Sequence, residues 1–151
     1  MMSPRDHATE GAPMRTLHFG LRVTDLERSL AFYTAVGYQV VGSVPETAFG
    51  HLTMLKLPDD DFVTIELVYD PTNGAVDLGT GLNHFVIKVA SLDATITELA
   101  AQGIDADTPE SPDGADDLRT TWITDPDGNR IELVQWPAGH PDGITAADWP
   151  D

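Results

Sequence analysis

The chain contains no cysteine. That absence excludes disulfides, thiolate metal sites and a thiol nucleophile, and it suits a reducing cytoplasm, the expected location. Positive charge is scarce too: 8 lysines and arginines stand against 25 acidic residues, a formal net charge of −17. A surface of that sign repels nucleic acid and anionic lipid, so neither is expected as a partner; its ordinary use is solubility. No apolar run reaches the roughly 18 residues that would signal a membrane-spanning helix. Residues 1–13 are polar and lack an apolar stretch, so they read as a flexible tail and not as a secretory signal. What is present is a chain of 151 residues, 41% of them hydrophobic. That is one domain by length, able to bury about two thirds of its unfolded surface without covalent staples.

The chain repeats itself. His18-Phe19-Gly20-Leu21-Arg22-Val23 returns 66 residues on as His84-Phe85-Val86-Ile87-Lys88-Val89, and Ile65-Glu66-Leu67-Val68 returns as Ile131-Glu132-Leu133-Val134. Leu26, Gly37, Asp59 and Pro71 recur at the same offset, as Leu92, Gly103, Asp125 and Pro137. Two copies of one module are expected, over 14–71 and 82–137, followed by a peripheral tail at 138–151. In the first copy, 16–23 alternates as a strand, Asp25 caps a helix with Leu26, Leu30, Tyr33 and Val36 on one face, and Gly37 stops it. Segments 38–44, 51–57 and 62–69 read as three further strands. The second copy gives a strand at 82–89, a helix capped by Ser91 and ended by Gly103, and strands at 104–107, 119–124 and 130–136. Asp125-Pro126-Asp127-Gly128 is a turn before the last of these. The predicted class is α+β, two tandem βαβββ modules with cupped mixed sheets.

Strand alternation sorts the side chains. Phe19, Leu21 and Val23 point to the helix, and His18, Gly20 and Arg22 point away from it. Ile65 and Leu67 oppose Glu66, and the second copy places His84 and Glu132 likewise. Each module therefore offers one His and one Glu, 48 residues apart, on the face away from its helix. Singly, each is an ordinary polar residue on a solvated sheet face. Jointly, two imidazoles and two carboxylates at duplicated positions suit a divalent cation such as Ni2+, Co2+ or Zn2+. His51, paired by the offset with Asp117, falls outside the pattern. His7 and His140 lie in the tails and are expected to be solvated.

These residues carry a resemblance. Over about residues 14–137 the chain resembles the glyoxalase I / bleomycin resistance / extradiol dioxygenase superfamily, the vicinal oxygen chelate proteins. It is most similar to bacterial-type glyoxalase I, the lactoylglutathione lyases. The supporting pieces are Leu17-His18 with Leu21-Arg22-Val23, Asp25-Leu26-Glu27-Arg28-Ser29, Phe32-Tyr33, Ile65-Glu66-Leu67, Leu78-Gly79-Thr80 leading to His84, and Asp125-Pro126-Asp127-Gly128 before Ile131-Glu132-Leu133. The resemblance implies that His18, Glu66, His84 and Glu132 ligate one divalent ion per site, Ni2+ or Co2+ before Zn2+. It implies a 1,2-proton shift on the hemithioacetal of a 2-oxoaldehyde, with the metal as Lewis acid, Glu132 as base and Glu66 assisting. It also implies a homodimer, with His18 and Glu66 of one chain facing His84 and Glu132 of the other.

Four features depart from the glutathione-using pattern. Asn83 stands where a Gly precedes the second His, and Val86 stands where a small residue follows it and is expected to narrow the pocket. Asp70 replaces an Asn that contacts the peptide. The loop 110–117 is acidic where a Lys is common. Arg22 remains as a candidate for one carboxylate. A dianionic thiol is thus disfavoured, and a less anionic small-molecule partner is expected. Other readings are an acyl-coenzyme A epimerase, which tends to carry Gln in place of Glu66, an Fe(II) dioxygenase, which needs only two His and one carboxylate, and a metal-free drug-binding protein, which has no use for the quartet.

Overall fold

The computed structural model describes residues 12–115 and 117–149. The expected repeat is visible as two sheets, each with one helix. The first module runs β1 (Phe19–Arg22), α1 (Leu26–Val36), β2 (Gln39–Thr47), β3 (Gly50–Lys56) and β4 (Ile65–Tyr69). The second runs β5 (His84–Lys88), α2 (Leu92–Ala101), β6 (Arg119–Thr124) and β7 (Arg130–Gln135). The sheet orders are β1-β4-β3-β2 and β5-β7-β6. Both are mixed: β1 lies parallel to β4 and β5 parallel to β7, with the remaining pairs antiparallel.

The helix caps are where the sequence places them. The Asp25 carboxylate accepts from the Arg28 amide, and Gly37, at φ 128°, turns the chain out of α1 while its N–H bonds back to Tyr33 and Thr34. Ser91 accepts from the Ala94 amide at the start of α2. Each bond satisfies an amide that the first helical turn leaves free. Gly50, at φ 111°, is compelled by space as well, because a side chain there would meet the Tyr69 carbonyl oxygen.

One expected strand is missing. Residues 104–107 form no strand, so the second module has three strands where the first has four. The Asp107 amide does bond to the Trp122 carbonyl, but the Asp107 carbonyl is taken by the Thr121 hydroxyl at 2.6 Å. Pro109 then removes the next donor, and pairing resumes only as a single bridge between Glu110 and Thr120. The edge strand β2 is irregular in its own way, with register shifts between Val40 and Gly42 and between Val44 and Thr47.

A second correction concerns register. His51 stands opposite Tyr69, and its equivalent opposite Gln135 is Arg119, not Asp117. The offset of 66 holds for the first and last strands of each module but slips by two at the third. An even slip leaves every side chain on its expected face.

The apolar faces of both modules enter one core, which includes Leu21, Leu67, Ile87, Leu92, Ile131 and Leu133. A buried polar knot ties the modules together. The Tyr33 hydroxyl on α1 donates to Asp125 Oδ2 at 2.7 Å, although the two residues are 92 apart in sequence. Asp125 also accepts from the Asp127 amide and from the amide and side chain of Asn129, at 2.8–2.9 Å. Burial, and then the Asp125 charge, push the Tyr33 phenol far above its ordinary pKa, so it remains a donor. Hydrogen bonds to a buried charge contribute about 1.5–3 kcal/mol each. Tyr33→Phe is therefore expected to lower unfolding stability by that amount. Asp125→Ala, which strands the Tyr33 hydroxyl and the Asn129 amide group together, should cost more. Urea denaturation measures both, and a Tyr33→Phe protein as stable as wild type would show the knot to be dispensable.

Candidate metal centre

Parallel pairing builds the candidate site. Because β1 runs alongside β4, Gly20 is level with Glu66, and His18 lies just before β1 on the same face. Its Nε2 lies 3.0 Å from Glu66 Oε2. In the second module the same construction leaves His84 Nε2 3.9 Å from Glu132 Oε1. All four side chains are partly exposed: 33% for each histidine, 17% for Glu66 and 25% for Glu132.

The structure thus brings the four expected ligands together as two pairs, not as one quartet. No group of three or more His, Asp or Glu side chains able to hold an ion occurs among the described residues of one chain. The chemistry of each pair nevertheless suits an ion. Two ligands at right angles, each about 2.1 Å from a metal, lie roughly 3 Å apart, close to the spacing of the first pair. The second pair is wider, at 3.9 Å. Each pair holds two of the four residues expected as ligands.

The second half-site has supports that the first lacks. Asn83 Oδ1 lies 2.7 Å from His84 Nδ1. An amide oxygen only accepts, so Nδ1 is the donor of this bond, and Nε2 is the ring nitrogen turned toward Glu132. Trp122 packs edge-on against the His84 ring, with centroids 4.9 Å apart, and pairs across the strands with Glu132. Trp122 was not among the expected site residues. Its signal was the alternation of β6, in which Thr121 and Ile123 face the core and Trp122 must face away.

The remaining expected residues take varied places. Val86 is half exposed beside Glu132. Arg22 reaches over to the Gly74 carbonyl at 3.4 Å. Asp70 is engaged locally, accepting from the hydroxyl and amide of Thr72 and from the Asn73 side chain. Those bonds, the Thr72 hydroxyl first, hold its carboxyl below the usual range. His51 sits on β3, away from the pairs. His7 lies outside the described residues. His140 corrects the expectation that it is solvated: it is 15% exposed, stacked on Trp136 and bonded to Asp148.

Comparison with known proteins bears on these pairs. The family model of the Glyoxalase/Bleomycin resistance protein/Dioxygenase superfamily matches residues 15–133. A probable lactoylglutathione lyase of Vibrio parahaemolyticus is 33% identical over 124 residues, spanning 80% of this chain and 90% of that protein. A putative lactoylglutathione lyase of Brassica oleracea is 30% identical over 80% of this chain, but the chain spans only 44% of its length. Among solved structures, glyoxalase I from Zea mays has a TM-score of 0.70 at 27% identity, covering 82% of this chain and 45% of that one. TnmS3, an antibiotic binding protein from Streptomyces, has a TM-score of 0.63 at 23% identity, covering 85% and 100%, and shares the fold alone.

The nearness of Trp122 to His84 gives a direct assay. Co2+ titrated into the protein is expected to quench Trp122 emission, and to quench the Trp122→Phe protein far less. Removing a ligand, as in His84→Ala or Glu132→Ala, should weaken the affinity about 10-fold or more. A quench that survives all three substitutions would place the ion elsewhere.

Proposed function

The chain belongs to the Glyoxalase/Bleomycin resistance protein/Dioxygenase superfamily, and from that premise we propose that it is a glyoxalase I-like isomerase whose metal site is completed by a second copy of the chain. The observation that carries the proposal is the pair of matching half-sites. His18 and Glu66 converge in one module, His84 and Glu132 converge in the other, and within a chain the two do not meet. A two-fold dimer that faces the first module of one chain with the second of its partner makes two complete sets at once. Val86, half exposed and level with Glu132 on the face of the second pair, gives such a partner an apolar surface to cover.

His18, Glu66, His84 and Glu132 would hold the ion. When bound, a divalent cation supplies a Lewis acid that draws charge from neighbouring substrate oxygens. The chain's own residues handle the proton. The Glu132 carboxylate would take it from the carbon bearing sulfur and return a proton to the adjacent carbonyl carbon, while the hydroxyl proton passes from the first oxygen to the second, giving a 2-hydroxy thioester with no net change in oxidation level. Glu66, contributed by the other chain, would assist. Asn83 and Trp122 keep the His84 ring from turning. A metal-free binding role would leave the duplicated His/Glu pairs without a task, and the bacterial relatives named lactoylglutathione lyase favour the isomerase.

Mixing tests the shared site. His18→Ala and Glu132→Ala chains are each expected to be inactive alone. Unfolded and refolded together, half of the dimers are mixed, and each mixed dimer carries one intact site, so activity returns to roughly a quarter of wild type. Sites built within single chains recover nothing, and that outcome would refute the arrangement.

A further inference from the structure

The two half-sites carry the same pair of side chains and differ in what surrounds them. In the second module Trp122 packs against His84, with ring centroids 4.9 Å apart and planes at 74°. A second group lies over the indole: the Arg130 Cζ is 5.4 Å from its centroid. Arg130 is level with His84 on one side and with Thr124 on the other. Two bonds from two different nitrogens orient its guanidinium. Nη1 donates to the Thr124 hydroxyl and Nη2 to the Asp107 carboxylate, each at 2.7 Å. A planar group bonded at two corners resists turning, so its place over the ring is fixed.

Asp107 is tied to the same tryptophan through the backbone. Its amide donates to the Trp122 carbonyl at 2.9 Å, and its carbonyl accepts from the Thr121 hydroxyl at 2.6 Å. Asp107 thus holds the Trp122 main chain directly and the Trp122 side chain through Arg130, which closes a circuit. Segment 104–107 forms no strand, yet it carries the carboxylate on which that circuit depends.

The first module has no such circuit. At the positions of Trp122, Arg130 and Asn83 it carries Met54, Thr64 and Leu17. There His18 meets Glu66 directly at 3.0 Å, whereas His84 stands 3.9 Å from Glu132 and takes its restraint from its other neighbours. The fold alone therefore does not demand the circuit, which is particular to the half-site that contains Glu132. Stability does not explain it either. The side chains of Arg130 and Asp107 are 40% and 54% exposed, and an ion pair that open to water adds little to folding. What the arrangement removes is the freedom of an indole, and with it the freedom of the imidazole packed against it. A ring already held in place loses less on taking up an ion.

We propose that Arg130 is a positioning residue for His84, acting through Trp122 and touching neither ion nor substrate. Its consequence for metal binding rests on the reading of His84 as a ligand; the hold on the ring does not.

The test uses the full chain and Co2+. In the metal-free protein, NMR cross-relaxation between the ring protons of His84 and Trp122 reports the packing, and chelator competition reports Co2+ affinity. Arg130→Met keeps the stem and removes the charge and both bonds. It is expected to abolish the cross-relaxation and to weaken Co2+ about three- to tenfold, less than loss of a ligand, with a melting temperature close to wild type. Arg130→Lys retains a cation over the indole and should stay within about twofold of wild type. In a Trp122→Leu background Arg130→Met should change the affinity no further, because residues that act through one another are not additive. Undiminished cross-relaxation in Arg130→Met, or an equal loss of affinity with and without Trp122, overturns the proposal. Asp107→Ala removes one of the two bonds from a half-exposed position. It should move both readouts in the same direction by less, and wild-type values for both would count equally against the proposal. The two readings fail separately. A wild-type chain that binds no Co2+, but whose ring contact is lost in Arg130→Met, sinks the metal centre and leaves the positioning role standing. Tight Co2+ binding with a ring contact indifferent to Arg130 does the reverse.

Discussion

The buried Asp125 carboxylate is the constraint on which the rest of the arrangement depends. It lies in the turn between β6 and β7, yet its partner Tyr33 belongs to α1 of the other module. A carboxylate taken out of water requires several donors to offset its lost hydration, and here four converge on it. Satisfying them fixes the turn, and with it the start of β7 and the position of Glu132 along that strand. The neighbouring Asp127 adds two weaker ties, from the Thr24 amide and from Arg28. The second half of the candidate site is thus positioned by the helix of the first module.

Parallel pairing then does for each module what no local turn could. A His before the first strand and a Glu in the last are 48 residues apart, and only a crossover that returns the chain parallel sets them side by side. The helix that makes this crossover also covers the opposite face, so one element both aligns the pair and buries the apolar residues between its members. Duplication supplies the second pair at no further topological cost.

Much of this was legible in the sequence, because alternation and capping are local signals. His18, Glu66, His84 and Glu132 could be assigned to one face from period two alone, and Asp25, Gly37 and Ser91 marked the helix ends by their own chemistry. What was not legible depends on contacts distant in sequence. Asp125 read as a turn residue, since nothing near it announces that Tyr33 will reach it. The failure of 104–107 to form a strand turns on the Thr121 hydroxyl, which captures a carbonyl from a different segment. The tail read as solvated because Pro, Gly and acidic residues dominate it. Its order comes from Trp136 and His140, four residues apart, whose stacking no periodicity rule marks. The splitting of the quartet into pairs is likewise a property of the assembled sheets, invisible to face assignment.

The irregularity of β2 bears on how these molecules behave at high concentration. An edge strand with free amides and carbonyls invites a neighbour to extend its sheet, and Val40, Val41 and Val44 would make such an extension sticky. Two register breaks and Pro45 interrupt the run of evenly spaced donors that an added strand requires. The edge therefore keeps its apolar side chains available to a folded surface of fitting shape while denying a template to an unfolded one. Together with the strong like charge that keeps copies apart, this biases encounters toward specific docking and away from fibrous stacking.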